Sequence, residues 1–383
     1  MTVAVNRPLS IVIALLLGIS LLAAWTAAAA MTDQQAHDAV IGGNDDAIAA
    51  IGHEAARNDP TAMYWWGVIQ NACAIEPCDP DVARDLWTRA AMAGNERARL
   101  HVYSMGAKGS AADDPYSSIG KPRTSDETLA WAYGTLQRSD QPASKQSALD
   151  ELRRIHRERP TMRSMLVMAL AAPMDRTTDP EPALRTLLLA GTPMAAAVGE
   201  HLLRHLIVRH RLKRQDLIRK AQEGDQAVSI ALCETAETAY SDHRLPSELL
   251  PICIANLERG QFGHARVLLD HYVAGRDLKQ ARPYAQLCDR WPLGCLGSLI
   301  DYEAAVGKGH YWDDIDAWIN RPAGSRNPRV AMKIRRDALS LQIRHQDLLD
   351  RCTNRRYLPD QDRFENDPQC PWGQPLTLPA EAR

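Results

Sequence analysis

Apolar residues recur at helical spacing over most of the chain, and few stretches show the period-two alternation of half-buried strands. Turn sequences, such as Asn58-Asp59-Pro60 and the stretch 177–182, separate these Ala-, Leu-, Arg- and Glu-rich segments. The formal net charge is −2, which excludes a polybasic nucleic-acid-binding protein and an acidic disordered one. The sequence therefore predicts an all-α protein of ordinary globular composition.

The first 30 residues have the organisation of a secretory signal peptide. Arg7 precedes an apolar run from Ile11 to Trp25, and alanines continue to Ala30. We therefore expect cleavage after Ala30 and a mature chain that is periplasmic or secreted. An uncleaved N-terminal membrane anchor is the alternative, because the apolar run up to Met31 is about long enough to cross a bilayer. Any membrane contact is expected through this segment alone.

All eight cysteines follow the expected signal peptide, and an even number in an oxidising compartment predicts disulfide bonds. Eight cysteines can pair in roughly a hundred ways. Zinc is the alternative, but structural zinc sites use closely spaced cysteine pairs in combination, and no second pair lies near the first. Pairing of sequence neighbours predicts the bonds Cys73–Cys78, Cys233–Cys253, Cys288–Cys295 and Cys352–Cys370.

A helix-turn-helix pattern occurs at least twice. The stretch from Arg89 to Tyr103 aligns with that from Arg219 to Cys233. In each, a glycine ends one helix and Asn95 or Asp225 caps the next. A single helix pair cannot bury its apolar face alone, so pairs of this kind stack into a solenoid.

These residues resemble the Sel-like repeat family, a relative of the tetratricopeptide repeats. The first half of the family motif is matched by Gly94, Ala98, Tyr103, Gly106 and Gly109. The second half is matched by Ala83, Leu86, Trp87, Ala90, Ala91 and Gly94, and in the next copy by Thr128 and Trp131. The resemblance covers residues 59–135 and 280–310. It implies an α/α solenoid of stacked antiparallel helix pairs, a Sel-like or TPR-like superhelix.

Residues 280–309 resemble the cysteine-rich, exported branch of that family, in which a cysteine ending one helix bonds a cysteine in the next. Cys288 and Cys295 would carry this bond, although their spacing is one residue shorter than is usual in that branch. The expected fold is therefore a disulfide-stapled solenoid. Its expected parts are a signal peptide 1–30, N-terminal Sel-like repeats 31–135, an irregular helical connection 136–190, C-terminal helical repeats 191–350 and an extended Pro-rich tail 351–383.

His201 and His205 are four residues apart, which places both on one side of a helix. A zinc-protease motif needs Glu directly after the first histidine, where this chain has Leu202, and no third ligand is visible nearby. Solvent-facing or packed histidines are therefore favoured over a metal site. The sequence predicts no metal ligand and no cofactor.

Two charged stretches have an ordinary structural interpretation. The basic run from Arg204 to Lys220 could meet an acidic surface, but nucleic acid is scarce outside the cytoplasm, and a solvated helix face is favoured. Asp313, Asp314 and Asp316 lack the loop spacing of an EF-hand. They are expected at the start of a helix, where carboxylates favour the dipole, with the neighbouring tryptophans packed inward.

No phosphate-binding loop, nucleophile elbow or zinc-protease motif occurs in the sequence. Some cysteine-rich relatives are associated with binding or slowly hydrolysing β-lactams, for which an S-x-x-K motif would be the signature. The stretch Ser118-Ile119-Gly120-Lys121 has this spacing, but the S-D-N and K-T-G motifs that accompany it in β-lactamases do not occur in the sequence. We therefore expect no enzyme and no catalytic residue, with a weak β-lactam-binding or hydrolase-like enzyme as a second alternative.

The expected function is to bind another protein in the cell envelope or periplasm through the concave surface of the solenoid. The partner is an envelope protein or, in the first alternative, a secreted toxin such as a type VI lipase, which this chain would neutralise as an immunity protein. Some Sel-like repeat proteins are similar to immunity proteins of this kind. Because Trp and Arg dominate interface hot spots, the candidate partner-binding residues are Trp65, Trp87, Trp131, Arg204, Arg209 and Arg211.

Overall fold

A computed structural model describes residues 30–75, 77–105, 119–138, 142–172, 179–236, 243–308, 311–320, 328–376 and 378. In these residues, eighteen α-helices follow one another with very little strand, which confirms the all-α prediction. The expected signal peptide, apart from Ala30, and the motif residues Gly106 and Gly109 lie outside the described residues.

The helices are α1 (Asp33–Gly42), α2 (Asp45–Ala56), α3 (Pro60–Asn71), α4 (Pro80–Met92), α5 (Glu96–Met105), α6 (Ser125–Arg138), α7 (Pro142–Glu158), α8 (Met162–Ala171), α9 (Glu181–Leu189), α10 (Ala195–His210), α11 (Arg214–Gln222), α12 (Gln226–Glu234), α13 (Leu250–Glu258), α14 (His264–Ala274), α15 (Leu278–Cys288), α16 (Leu296–Ala305), α17 (Tyr311–Asn320) and α18 (Pro328–Thr353).

Helix starts follow the capping signals of the sequence. The Oδ1 atom of Asn95 accepts a hydrogen bond from the backbone N–H of Ala98, and Oδ1 of Asp225 accepts one from Val228. Proline opens α3 and α4, where no backbone donor is needed. The turn predicted from the repeated pattern is therefore confirmed at both of its copies.

Helices pack mainly on helices one to three places further along the chain. α1 contacts α2 and α3, α9 contacts α10 and α12, and α14 contacts α15 and α16. Gly199 shows why small residues matter at these contacts, because a Cβ added there would lie 3.0 Å from the Cα atom of Ala231. A larger side chain at that position would push α10 away from α12.

Four disulfide bonds join the cysteines in the predicted pairs. The Cα–Cα distances are 5.0 Å for Cys73–Cys78, 5.7 Å for Cys233–Cys253, 5.5 Å for Cys288–Cys295 and 5.4 Å for Cys352–Cys370. Four disulfide bonds in one chain indicate an oxidising compartment and thus an exported protein. None of the described helices combines the length and hydrophobicity needed to cross a membrane.

The longest helix among the described residues, α18, connects the N-terminal helices to the C-terminal half. Its 26 residues span about 39 Å. It contacts α1, α8, α17 and the short turn 292–294. Leu339 and Ile343 join the apolar core of α1–α5, whereas Ala338 joins the core of the C-terminal half. α18 therefore lies across the array of shorter helices and covers part of it.

The region 136–190, expected to be an irregular connection, contains regular helices in its described part. α7 buries Ala148, Leu149, Leu152 and Ile155, whose spacing places them on one helix face. The chain packs there as it does elsewhere, although the family motif is not visible. α8 continues the array and contacts α7, α9 and α10.

The tail after α18 folds back onto earlier helix ends. A two-residue antiparallel pairing joins β1 (Tyr357–Leu358) to β2 (Arg363–Phe364), and Cys352–Cys370 ties the segment down. Farther on, the N–H of Gly373 donates to the carbonyl of Gly260 at 2.8 Å. Trp372 is buried beside this contact. The tail is thus part of the packed structure.

Candidate functional site

The start of α9 and the end of α10 lie side by side and bring acidic and histidine side chains together. Glu181 is the first residue of α9, and His205 and His210 are in the last part of α10. The two helices contact each other. A carboxylate near a helix N-terminus and histidine near a C-terminus both complement the helix dipole, which accounts for these residue types at these ends.

In what we call the α9–α10 cluster, Glu181, His205 and His210 place one ligand atom each within 4.8 Å of one another. Oε2 of Glu181 lies 3.1 Å from Nε2 of His210 and 3.7 Å from Nε2 of His205. Oδ1 of Asp179 lies 3.3 Å from Nε2 of His205. The side chain of His205 is 12% exposed and that of His210 is 48% exposed, so the cluster opens to solvent on the His210 side.

The other carboxylate oxygen of Glu181, Oε1, is held by Arg185. Nε of Arg185 donates to Oε1 of Glu181 at 2.8 Å, and Nη1 of Arg185 donates to Oδ1 of Asp225 at 2.8 Å. Arg185 therefore fixes the Glu181 carboxylate with Oε2 turned towards the histidines. Asp225 also caps α12, so this network joins three helices.

His201, paired with His205 in the sequence, does not join the cluster among the described residues. Burial lowers the pKa of His201, and the nearby Arg204 acts in the same direction. The partners of His205 come instead from upstream. The acidic turn before α9 could have indicated these partners in the sequence. In an antiparallel pair, the start of one helix lies beside the end of the next.

A cleft between α7, α8 and α9 ends at the same place. Leu149, Leu152, Met168 and Ala183 line it, and Arg153 and Asp179 are the charged residues of its lining. The cleft and the cluster therefore share one carboxylate.

The end of α10 also exposes apolar and basic side chains. Ile207 is 46% and Val208 is 74% exposed, and they are the one adjacent pair among the exposed large apolar residues that the structure describes. Arg209 and Arg211 are exposed on either side of His210 and form no ion pair with any described residue. Arg204 is exposed as well and pairs with Glu200 one turn earlier. We call Arg204, Ile207, Val208, Arg209 and Arg211 the α10 edge.

Two of the tryptophans predicted to contact a partner are buried, which corrects that expectation. Trp65 is 1% exposed, and its Nε1 donates to Oδ1 of Asp33 at 2.8 Å. Trp87 is 5% exposed, and its Nε1 donates to the carbonyl of Tyr64 at 3.1 Å. Both indoles satisfy their donor inside the core and stabilise the packing of α1–α5. Trp131 is half-buried.

The acidic stretch of α17 has the structural role expected for it. Asp313 and Asp314 lie in the first turn of α17, and Trp312 is buried. Trp318 packs under a cation, since the guanidinium of Arg335 lies 4.8 Å from its ring centre. This arrangement agrees with helix-dipole and packing roles.

Two buried pairs of charged or titratable residues escaped the sequence analysis. Nε of Arg99 donates to Oε1 of Glu127 at 2.6 Å, and the side chains are 3% and 5% exposed. Near the Cys233–Cys253 bond, Nε2 of the fully buried His264 lies 3.4 Å from Oε1 of Glu234. Burial raises the pKa of Glu234 to about 7, and burial lowers the pKa of His264 to about 4. Burial therefore shifts both groups towards their neutral forms.

No family model matches the chain, and no curated protein or solved structure matches it. The functional argument therefore rests on the sequence and the geometry described above.

Proposed function

We propose that the chain is an exported α/α repeat protein of the Sel-like type, without catalytic activity, that binds another protein through the α10 edge. The packing of most helices on helices close to them in sequence supports the stacked helix pairs of a solenoid. The four disulfide bonds support an exported location, the periplasm among them.

The position of α18 bears on which surface is free. A repeat array usually binds through an extended face. Here α18 covers part of the array, since Ser340 donates to the carbonyl of Ile41 and Arg163 of α8 pairs with Asp350 at 2.6 Å. A partner would meet α18 along that face. α10, which carries the α10 edge, is not among the described helices that pack closely on α18.

One observation carries the proposal. Ile207 and Val208 are exposed together, and beside them lie Arg209 and Arg211, which pair with no acidic side chain in the described part of the chain. Adjacent exposed apolar side chains mark interaction surfaces more often than isolated ones do. The arginines would recognise carboxylates, mainly by raising the association rate and the selectivity. The expected partner is therefore a protein surface with an apolar contact surrounded by acidic residues.

The test uses a photo-crosslinking amino acid placed at position 208 or, as a control, at position 82 in the exported protein. Val82 is a valine on α4 that is 44% exposed, away from the α10 edge. Crosslinks from 208 but not from 82 are expected, and mass spectrometry of the product separates an envelope protein from a secreted toxin. Crosslinks from both positions alike, or from neither, would contradict the proposal.

A captured protein then needs a quantitative check. Val208→Asp should weaken its binding by roughly tenfold or more, because a carboxylate replaces a central apolar contact and repels the acidic partner. Val82→Asp should leave the dissociation constant unchanged. Added salt should slow association with the wild type.

A further inference from the structure

We infer that the α9–α10 cluster is a binding site for one divalent late transition-metal ion, with zinc as the ion that suits it best. The ligands are Oε2 of Glu181 and the Nε2 atoms of His205 and His210. This site does not depend on the proposed partner surface.

The first support is the ligand set and its spacing. In a tetrahedral zinc site, ligands lie about 2.0–2.2 Å from the metal, which puts ligand atoms roughly 3.3–3.6 Å from each other. The two measured contacts to Oε2 of Glu181 are 3.1 and 3.7 Å, and all three ligand atoms lie within 4.8 Å. Small rotations of the partly exposed His210 would complete the geometry.

The second support is an unsatisfied atom. Nε2 of His205 is buried and forms no hydrogen bond with any residue that the structure describes, although Asp179 and Glu181 present oxygens 3.3 and 3.7 Å away. A buried polar atom without a partner is costly. A metal ion between the two helices would take up the lone pair of this nitrogen and the charge of the neighbouring carboxylates at once.

The third support is the arrangement around Glu181. Arg185 occupies Oε1 and turns Oε2 towards both histidines, where Oε2 shares a hydrogen bond with Nε2 of His210. Ligating carboxylates are commonly held in this way by a second layer of hydrogen bonds. With both histidines neutral, the charges of Glu181, Asp179, Asp225 and Arg185 sum to −2, which a divalent ion would neutralise.

The nitrogen ligands distinguish this site from a calcium or magnesium site, since those ions take oxygen ligands. Imidazole suits zinc and its neighbours in the series. Only three residues of the cluster act as ligands, and the His210 side is open to solvent. The fourth position would therefore be filled by water or by Oδ1 of Asp179.

The experiment is zinc titration of the exported protein, with its disulfides intact and after treatment with a chelator. Calorimetry should give one zinc per chain, and elemental analysis after dialysis should give the same ratio. His210→Gln and Glu181→Gln should each weaken binding by at least about tenfold, the range seen when metal-site partners are removed. The matched control, His201→Gln, lies on the same helix outside the cluster and should bind zinc as the wild type does.

A second readout separates loss of the site from loss of folding. Zinc should raise the melting temperature of the wild type and of His201→Gln, because an ion that binds only the folded state stabilises it. His210→Gln should melt normally without zinc and show a clearly smaller rise than the wild type at the same zinc concentration. Equal binding by His201→Gln, His210→Gln and Glu181→Gln, or no binding by the folded wild type, would overturn the inference.

Discussion

Nε2 of His37, in α1, lies 2.7 Å from Oδ2 of Asp347 in α18, although 310 residues separate the two in the chain. The contact does not stand alone. Asp45 at the start of α2 pairs with Arg336 of the same long helix. Through these contacts, α18 holds the first helices against the C-terminal part of the chain.

The His37–Asp347 contact should make stability depend on pH. Burial by itself would lower the pKa of His37, but hydrogen bonds to Asp347 and Asp38 outweigh it, and the pKa is raised above 6.5. A histidine whose pKa is higher in the folded state stabilises that state fully below pH 6.5, and this contribution is lost as the pH rises through the raised value. Asp347→Asn should therefore reduce the free energy of unfolding more at pH 6 than at pH 8.5.

Urea unfolding of both proteins at the two pH values measures this difference. Asp360→Asn, at an exposed position of the tail, is the control and should cost the same small amount at either pH. If Asp347→Asn also costs the same at both values, His37 does not hold a proton for this contact.

Ionisation of Glu234 should also make the free energy of unfolding fall as the pH rises, but for a different reason. Its pKa is raised by burial to about 7, so the folded protein keeps a proton that the unfolded chain releases near pH 4.5. Stability from this group is complete below pH 4.5 and is lost as the pH rises through about 7, by about 3 kcal/mol in all. Glu234→Gln removes the titration, so it should lose less stability than the wild type between pH 5 and pH 8.5.

The measurement is again urea unfolding across pH, with Glu365→Gln as an exposed control. His264 has the opposite dependence, because a pKa lowered to about 4 costs stability as the pH falls below 6.5. That loss should remain in Glu234→Gln. Parallel pH profiles of the wild type and Glu234→Gln would show that Glu234 is not buried as described.

The buried Arg99–Glu127 pair should be far more sensitive than an exposed pair on the same helix. Glu127 also accepts the backbone N–H of Arg123 at 2.6 Å, so its carboxylate is fully hydrogen-bonded inside the protein. Arg99→Met would leave that charge buried without its counter-ion, at a cost of about 3–5 kcal/mol. Arg97→Met removes a half-exposed partner of Asp33 and should cost about 1 kcal/mol or less.

Chemical denaturation of the two variants gives the comparison directly. A double variant, Arg99→Met with Glu127→Leu, should recover part of the loss, because the unpaired charge is removed. Equal costs for Arg97→Met and Arg99→Met would contradict the assignment of Arg99 and Glu127 to the core.

The structural features that could be predicted from the sequence are those formed by residues close to each other along the chain. The four disulfide bonds join cysteines close in sequence, and Asn95 and Asp225 cap helices three residues ahead. The contact between α18 and α1 depends on the relative orientations of all the helices between them. No local sequence pattern determines those orientations together. The same holds for Trp65 and Trp87, whose burial depends on which helices lie beside them.

The candidate site shows the same limit. His205 was visible as one histidine of an i, i+4 pair, but its neighbours Asp179 and Glu181 come from the preceding helix start. Only the antiparallel packing of α9 and α10 brings them within 4 Å. The exposure of Val208 likewise follows from the absence of a neighbour at the end of α10 among the described residues.

Two glycines with nearly the same backbone φ angle test how the tail docks, because the tail contacts one of them and not the other. Gly260 has φ +97 and Gly224 has φ +101, so an alanine at either position adopts a left-handed conformation that costs about 1–2 kcal/mol. At Gly224, nothing lies within 4 Å of an added Cβ. At Gly260, the Cβ would lie 2.3 Å from the carbonyl oxygen of Gln374, which is backbone and cannot simply rotate away.

Gly260→Ala should therefore lose clearly more stability than Gly224→Ala, and the excess measures the docking of the tail. The hydrogen bonds from Gly373 to Gly260 and from Leu376 to Glu258, both 2.8 Å, should break, while Cys352–Cys370 still tethers the chain upstream of Trp372. Hydrogen exchange should then speed up at residues 372–376 in Gly260→Ala and remain slow in Gly224→Ala. Equal stability losses with unchanged exchange in both variants would mean that the tail does not rest on this turn in solution.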